Sequence, residues 1–262
     1  MTVPLGEWHG GTFGHARCVL ADNASPMTLD GTNTWIVGAA PDGRSIVIDP
    51  GPDDDRHLSA IAAAAGDVSA VLLTHGHLDH SEGARHFAEM KGCGVRALDP
   101  AFVYGEEGLH DGDVVEVDGL ELRVVGTPGH TSDSLSFVLP EDRAVLTGDT
   151  VLGRGTTVVA HPDGALGAYL GSLRRLRDLA SSEGLTTVLP GHGPVLDDAL
   201  GALEYYLGHR AERLDQVREA VASGAIEPMD VVRRVYADVD QRLWPAAELS
   251  VRAQLDYLRH EG

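Results

Sequence analysis

Through the first 195 or so residues, short apolar runs, often β-branched, are separated by turns of Gly, Pro and Asp, the pattern of brief strands in close succession. These runs predict strands at residues 18–21, 34–37, 45–48, 70–74, 95–98, 114–117, 120–126, 134–139, 144–147 and 187–189. Helical periodicity interrupts them at 55–65, 82–90 and 166–181, and Leu170, Leu173, Leu176 and Leu179 line one face of the third. Ten strands with three inserted helices exceed a simple barrel. Two facing sheets with helices on their outer sides accommodate them, which predicts an α/β protein built as an αββα four-layer sandwich.

Beyond Pro194 the pattern is helical throughout. It predicts a helix over 199–223, a short one over 229–236 opened by Pro228, and a third over 246–260 after Trp244-Pro245. Leu203, Tyr206, Leu207, Leu214, Val217, Val221, Val232, Val235, Leu249, Leu255 and Leu258 supply the apolar positions. The chain is therefore expected to divide into a larger domain, residues 1–197, and a small helical one, residues 198–262. No linker composition separates the two patterns, so the second should pack against the first. Its service as lid, dimer surface or stability element is open, as is the oligomeric state.

With 262 residues, 43% of them hydrophobic and 23% charged, the chain can bury a full core. No apolar run approaches the roughly 18–20 residues that cross a bilayer, so a membrane partner is not expected. The formal charge is −20, of which residues 1–199 carry −17. That balance opposes the phosphate neutralisation on which nucleic-acid affinity rests, and it concentrates cations instead. The opening MTVPLGEWHGG lacks the basic and apolar regions of a secretory leader, and Cys18 and Cys93 cannot build a disulfide framework. A cytoplasmic setting is expected. One Lys, Lys91, against 19 Arg suggests a GC-rich bacterial genome.

The composition changes abruptly at residues 71–80, where an apolar strand runs out into His75, His77, Asp79 and His80. Neither burial nor solubility calls for that density of imidazole and carboxylate; a metal ion does. His75 and His77, two apart in an extended segment, project to one side, and Gly76 lets the backbone pass close by. Further donors end other apolar runs: His130 in Gly129-His130-Thr131, Asp149 after Thr147-Gly148, and His192 in Pro190-Gly191-His192-Gly193. Strand-to-loop edges are where a rigid scaffold presents reactive groups.

This ordered series, HxHxDH followed by His, Asp and His, resembles that of the metallo-β-lactamase superfamily over about residues 15–195. The resemblance implies two divalent ions. One would be held by His75, His77 and His130, the other by Asp79, His80 and His192, with Asp149 bridging and Asp79 and His80 catalytic. Zinc suits this thiolate-free set, and iron or manganese can also occupy it. Two ions activate water at neutral pH, so the expected chemistry is hydrolysis. Asp149 sets the chain apart from the true zinc β-lactamases, and His77 from the diiron flavoproteins, which carry Glu there. Ser132-Asp133-Ser134 replaces a stretch that in glyoxalase II enzymes holds a further His.

Residues 26–35, PMTLDGTNTW, and the helical C-terminus are similar to a beta-lactamase-like subgroup with a winged-helix-like segment. Its members include thioesterases of secondary metabolism and an endoribonuclease acting on single strands. The expected function is cleavage of an ester or thioester of a small molecule, with single-stranded RNA as the alternative substrate. Asn33 either lines the site or serves a turn. His9, His15, His57, His86, His110, His161, His209 and His260 match no ligand position and read as surface or packing residues. The Asp53-Asp54-Asp55 run reads as a helix cap, and Arg174, Arg175 and Arg177 as a solvated helix face.

Overall fold

Strands buried on both faces account for the continuous apolar runs. In the computed structural model, which describes residues 6–38 and 43–260, eleven strands form two sheets. The first has the spatial order β1 (Gly11–Phe13), β2 (Ala16–Leu20), β3 (Asn33–Gly38), β4 (Arg44–Ile48), β5 (Asp67–Leu72) and β6 (Gly94–Arg96). Its pairings are antiparallel up to β4 and parallel from β4 to β6. The second comprises β7 (Val114–Val117), β8 (Leu120–Gly126), β9 (Leu135–Leu139), β10 (Ala144–Gly148) and β11 (Thr187–Pro190), ordered β11-β10-β9-β8-β7. Only β10 and β11 run parallel in it.

Side-chain alternation then sorts the layers. Ile46 and Ile48 of β4 meet Leu146 of β10 in the core between the sheets. Val47 and Val71 point the other way, onto α1 (Asp55–Ala65) and α3 (Ala84–Lys91). Val138, Val145 and Val188 do the same beneath α4 (Leu166–Glu183), where Tyr169, Leu173 and Leu176 are buried. The αββα sandwich is thus present. Asp54 caps α1, accepting from the His57 amide at 2.9 Å.

Three further helices follow: α5 (Ala199–Ala222), α6 (Pro228–Val235) and α7 (Trp244–His260). The first part of α5 joins the core under α4 through Leu203 and Tyr206, while Val217 joins a separate small core with Val231, Val232 and Val251. Val221 and Leu249, expected as apolar core positions, are instead 43% and 39% exposed. No helix among the described residues is long and apolar enough to cross a membrane. Residues 1–5, part of the stretch read for a leader, lie outside the described residues.

Two sequence expectations change near residue 75. The strand placed at 70–74 begins at Asp67 and ends at Leu72; the Leu73 amide makes the last bond to the neighbouring strand, at the Arg96 carbonyl, and the Thr74 amide turns instead to the Asp49 carboxylate. The helix placed at 82–90 is α3, which starts at Ala84, and a separate helical turn precedes it. A one-turn α2 (Leu78–Ser81) takes in Asp79 and His80, and Gly83 separates it from α3. A Cβ at Gly83 would lie 2.9 Å from the Pro52 carbonyl oxygen, so only glycine lets the join pack against the loop after β4.

Candidate metal centre

Every sequence-singled donor sits just past the C-terminal end of a strand. β5 leads to His75, His77, Asp79 and His80, β8 to His130, β10 to Asp149 and β11 to His192. The two sheets are stitched at that rim. Leu135 donates to the Thr74 carbonyl at 2.7 Å, and Asn33 to the Gly191 carbonyl at 2.8 Å. The ends of different strands therefore meet.

All seven donors converge. Nδ1 of His77 lies 3.0 Å from Nε2 of His75 and 3.1 Å from Nε2 of His130. On the other side, Nε2 of His192 is 3.2 Å from Nε2 of His80 and 3.1 Å from Oδ2 of Asp79. Asp149 stands between these groups, with Oδ1 3.5 Å from His80 Nε2 and Oδ2 3.4 Å from His192 Nε2 and 3.7 Å from His130 Nε2. The cluster is buried except at its mouth, where His77 is exposed and the Asp79 side chain is 32% accessible. Leu78, 67% exposed, flanks that mouth, and the Phe102 ring packs on Gly76.

Partners behind the rings fix which nitrogen faces inward. Nδ1 of His130 donates to the Val158 carbonyl at 2.7 Å, Nδ1 of His192 to the Gly31 carbonyl at 3.1 Å, and Nδ1 of His80 to Asp49 Oδ2 at 2.9 Å. The Thr74 hydroxyl proton goes to Asp49 at 2.6 Å, so Thr74 Oγ1 accepts from His75 Nδ1 at 3.0 Å. Four imidazoles thereby aim Nε2 at the centre, each free to offer its lone pair there once that nitrogen carries no proton.

Protons alone serve this arrangement poorly. One proton on His77 can satisfy only one of its two nitrogen neighbours, and Asp149 Oδ1 is buried with no hydrogen-bond partner among the described residues. Two nitrogens bound at 2.0–2.1 Å to one ion in tetrahedral geometry sit roughly 3.3 Å apart, close to the spacings here. Three donor groups satisfy a metal's reach: His75, His77 and His130; His75, His80 and Asp149; and Asp79, His80 and His192. The residues present fit divalent metal.

Burial lowers the pKa of His75 and of His130. Burial also disfavours charge on His80 and His192, but the carboxylates reverse it. Asp149 and Asp49 raise His80 well above the ordinary imidazole value, and Asp149 and Asp79 push His192 up to about 9. Burial works against charge on Asp79 and Asp149 as well, yet the facing imidazoles outweigh it and hold both below the usual carboxylate range.

Asp49 escaped notice in the sequence, although it ends the apolar run of β4 just as Asp149 ends that of β10. It accepts from the Thr74 amide, the Thr74 hydroxyl and His80, bonds that hold it at φ 52°. Asn33 neither lines the site nor makes a turn. Fully buried, it donates to the Pro190 and Gly193 carbonyls at 2.9 and 2.8 Å, gripping both sides of His192, and accepts from the Trp8 indole at 2.7 Å. His57 is a packing residue bonded to Thr34, while Arg174 and Arg175 face solvent.

A metal-dependent hydrolase on an αββα scaffold is the class of protein that such a fold and cluster define. Residues 27–192 match the metallo-beta-lactamase superfamily, and residues 228–262 match the beta-lactamase associated winged helix domain. The chain belongs to the metallo-beta-lactamase superfamily. It is 33% identical to a beta-lactamase-like protein 2 homolog of Caenorhabditis elegans, over 93% of this chain and 84% of that one. Identity to an atrochrysone carboxyl ACP thioesterase of Aspergillus fumigatus is also 33%, over 86% and 76%. A metallo-beta-lactamase family protein from Thermus thermophilus shares the fold at TM-score 0.79 and 22% identity, over 95% and 94% of the two chains.

Proposed function

We propose that the chain is a dinuclear metal-dependent hydrolase of a small-molecule ester or thioester, its catalytic segment residues 1–197 and its helical segment residues 198–262. In this reading His75, His77 and His130 hold one ion, Asp79, His80 and His192 hold the second, and the Asp149 carboxylate is shared. The observation that carries it is the placement of Asp149, whose carboxylate oxygens face histidines of both sets and whose buried Oδ1 has no hydrogen-bond partner among the described residues. The nitrogen-rich, thiolate-free donor set suits zinc, with iron and manganese as alternatives.

Two divalent ions supply Lewis acidity and an activated water near neutral pH. Around them, Asp79 is the carboxylate that reaches solvent, which places it at the mouth where a proton would be handed over. His80, buried between Asp49 and the carboxylates, holds Asp79 and Asp149 in register. Leu78 and Phe102 offer apolar surface to an acyl chain beside the cluster. The thioesterase relative and the −17 charge of residues 1–199 both favour a small acyl substrate over a phosphate backbone. Free thiols at Cys18 and Cys93 accord with a cytoplasmic setting. The bacterial source rests on composition, arginine over lysine with abundant alanine and glycine, the two curated relatives named being eukaryotic.

The test is hydrolysis of a short acyl thioester, the matching oxygen ester and a single-stranded RNA, each with and without chelator and after return of zinc, iron or manganese. Thioester or ester turnover should vanish with chelator and return with metal, while RNA stays intact. RNA cleavage with both esters inert, or turnover indifferent to chelator, would overturn the reading.

A further inference from the structure

The loop from Thr150 to Val159 touches three of the four strand ends that build the centre. It follows Asp149 directly, its Val158 carbonyl accepts from His130, and the Gly153 amide donates to the His192 carbonyl at 2.9 Å. The loop has no regular secondary structure, so its own backbone cannot fix these positions. Helices do so from behind. Tyr169 of α4 donates to the Thr150 carbonyl at 2.7 Å. The Tyr206 hydroxyl of α5 accepts from the Leu152 amide at 2.8 Å and donates to its carbonyl at 3.3 Å. Arg210, one turn further along α5, donates to the Thr157 carbonyl beside the Val158 carbonyl that orients His130.

Arg210 is an unusual residue to find there. It is 5% exposed, its guanidinium lies 5.0 Å from the Tyr169 ring centroid, and its Nε has no hydrogen-bond partner among the described residues. Burying a cation against a ring and a carbonyl is costly, and a helix needing only to pack would use an apolar residue. We propose that Arg210 is a positioning residue, through which α5 of the helical segment sets the Thr157–Val158 backbone and hence the orientation of His130 toward the metal. The helical segment then completes the centre rather than merely adjoining it. The inference rests on the metal-site reading above.

Arg210→Met, Arg210→Lys and Tyr206→Phe test it in the full-length chain. The readouts are zinc affinity by chelator competition and the NMR resonance of the His130 Nδ1 proton in chelated protein. Arg210→Met should weaken zinc binding about tenfold or more, the range for partners behind a ligand, and shift or broaden the His130 proton. Arg210→Lys, retaining a charged donor group for the Thr157 carbonyl, should recover most of the affinity. Should Arg210→Met fail to fold, Tyr206→Phe keeps the core shape while removing the Leu152 clamp, and a smaller loss with the same resonance affected supports the proposal. Unchanged affinity and an unmoved His130 proton in a folded variant would overturn it. If the unaltered protein binds no zinc, iron or manganese, the metal reading fails by itself, and the His130 resonance still decides whether Arg210 positions that ring.

Discussion

Single atoms carry most of the chemistry, and Asp49 shows how. It accepts from the Thr74 amide and hydroxyl and from His80, so one carboxylate fixes a ring directly and, through Thr74, the neighbouring His75. Asp49→Asn preserves shape but presents an amide where three donors need an acceptor. Metal affinity should fall about 10–100-fold, measured by chelator competition, and an unchanged value would remove Asp49 from this role. A second expectation follows from His192, pushed up to about 9, and from His80, raised above the ordinary 6.5. A raised folded-state pKa gives stability that is complete below the unfolded value and lost as pH climbs through the folded one. The urea midpoint of chelated protein should therefore fall between pH 6.5 and about 9. Metal replaces those protons, so loaded protein should not show the fall over the same window. A chelated midpoint that rises with pH would contradict the assignment.

Elements matter here through their ends. β5, β8, β10 and β11 each stop where a donor begins, and close backbone approach makes the rim tight enough for the donors to meet. Gly191, just past β11, is the sharpest case. A Cβ there would stand 2.6 Å from Asp149 Oδ1 and 2.8 Å from His80 Cε1, inside the cluster itself. Its φ is not in the left-handed region, so Gly191→Ala adds bulk without backbone strain. Bound metal should drop to half or less of the unaltered content by elemental analysis while far-UV circular dichroism stays unchanged. Full metal content in that variant would show the cluster to be looser than these distances. At Gly129, φ 138° compounds a 2.3 Å clash with the Tyr169 backbone, so alanine there should disturb the fold as well as the site.

The whole molecule joins two sequence patterns in one core. Leu203, Tyr206 and Leu214 of α5 and Ala253 of α7 share an apolar cluster with Tyr169, Leu173 and Leu176 of α4. A chain ending at Asp197 would expose that face of α4 and lose the Tyr206 and Arg210 clamps. Such a truncation should be insoluble or should bind hydrophobic dyes with poorly dispersed amide resonances. A soluble, well-dispersed and metal-competent fragment would show the helical segment to be dispensable.

The sequence alone determined the layers and marked the candidate donors. Runs such as residues 144–147, apolar on both faces, can only be strands between two covering layers, and the density of His and Asp at residues 75–80 has no explanation in packing. Spacing along the chain also marked His130, Asp149 and His192, since each follows an apolar run and borders glycine or, at His130, a Pro-Gly turn. What tertiary structure decided is how the seven are brought together and held. Asp49, Asn33, Tyr206 and Arg210 act on residues 25 to 160 positions away in the chain, several of them through backbone groups, which have no sequence signature. A strand's inward and outward faces follow from its local two-residue period. The partner behind a ring depends on which distant loops the packed sheets deliver to the same few ångströms, and no local pattern encodes that.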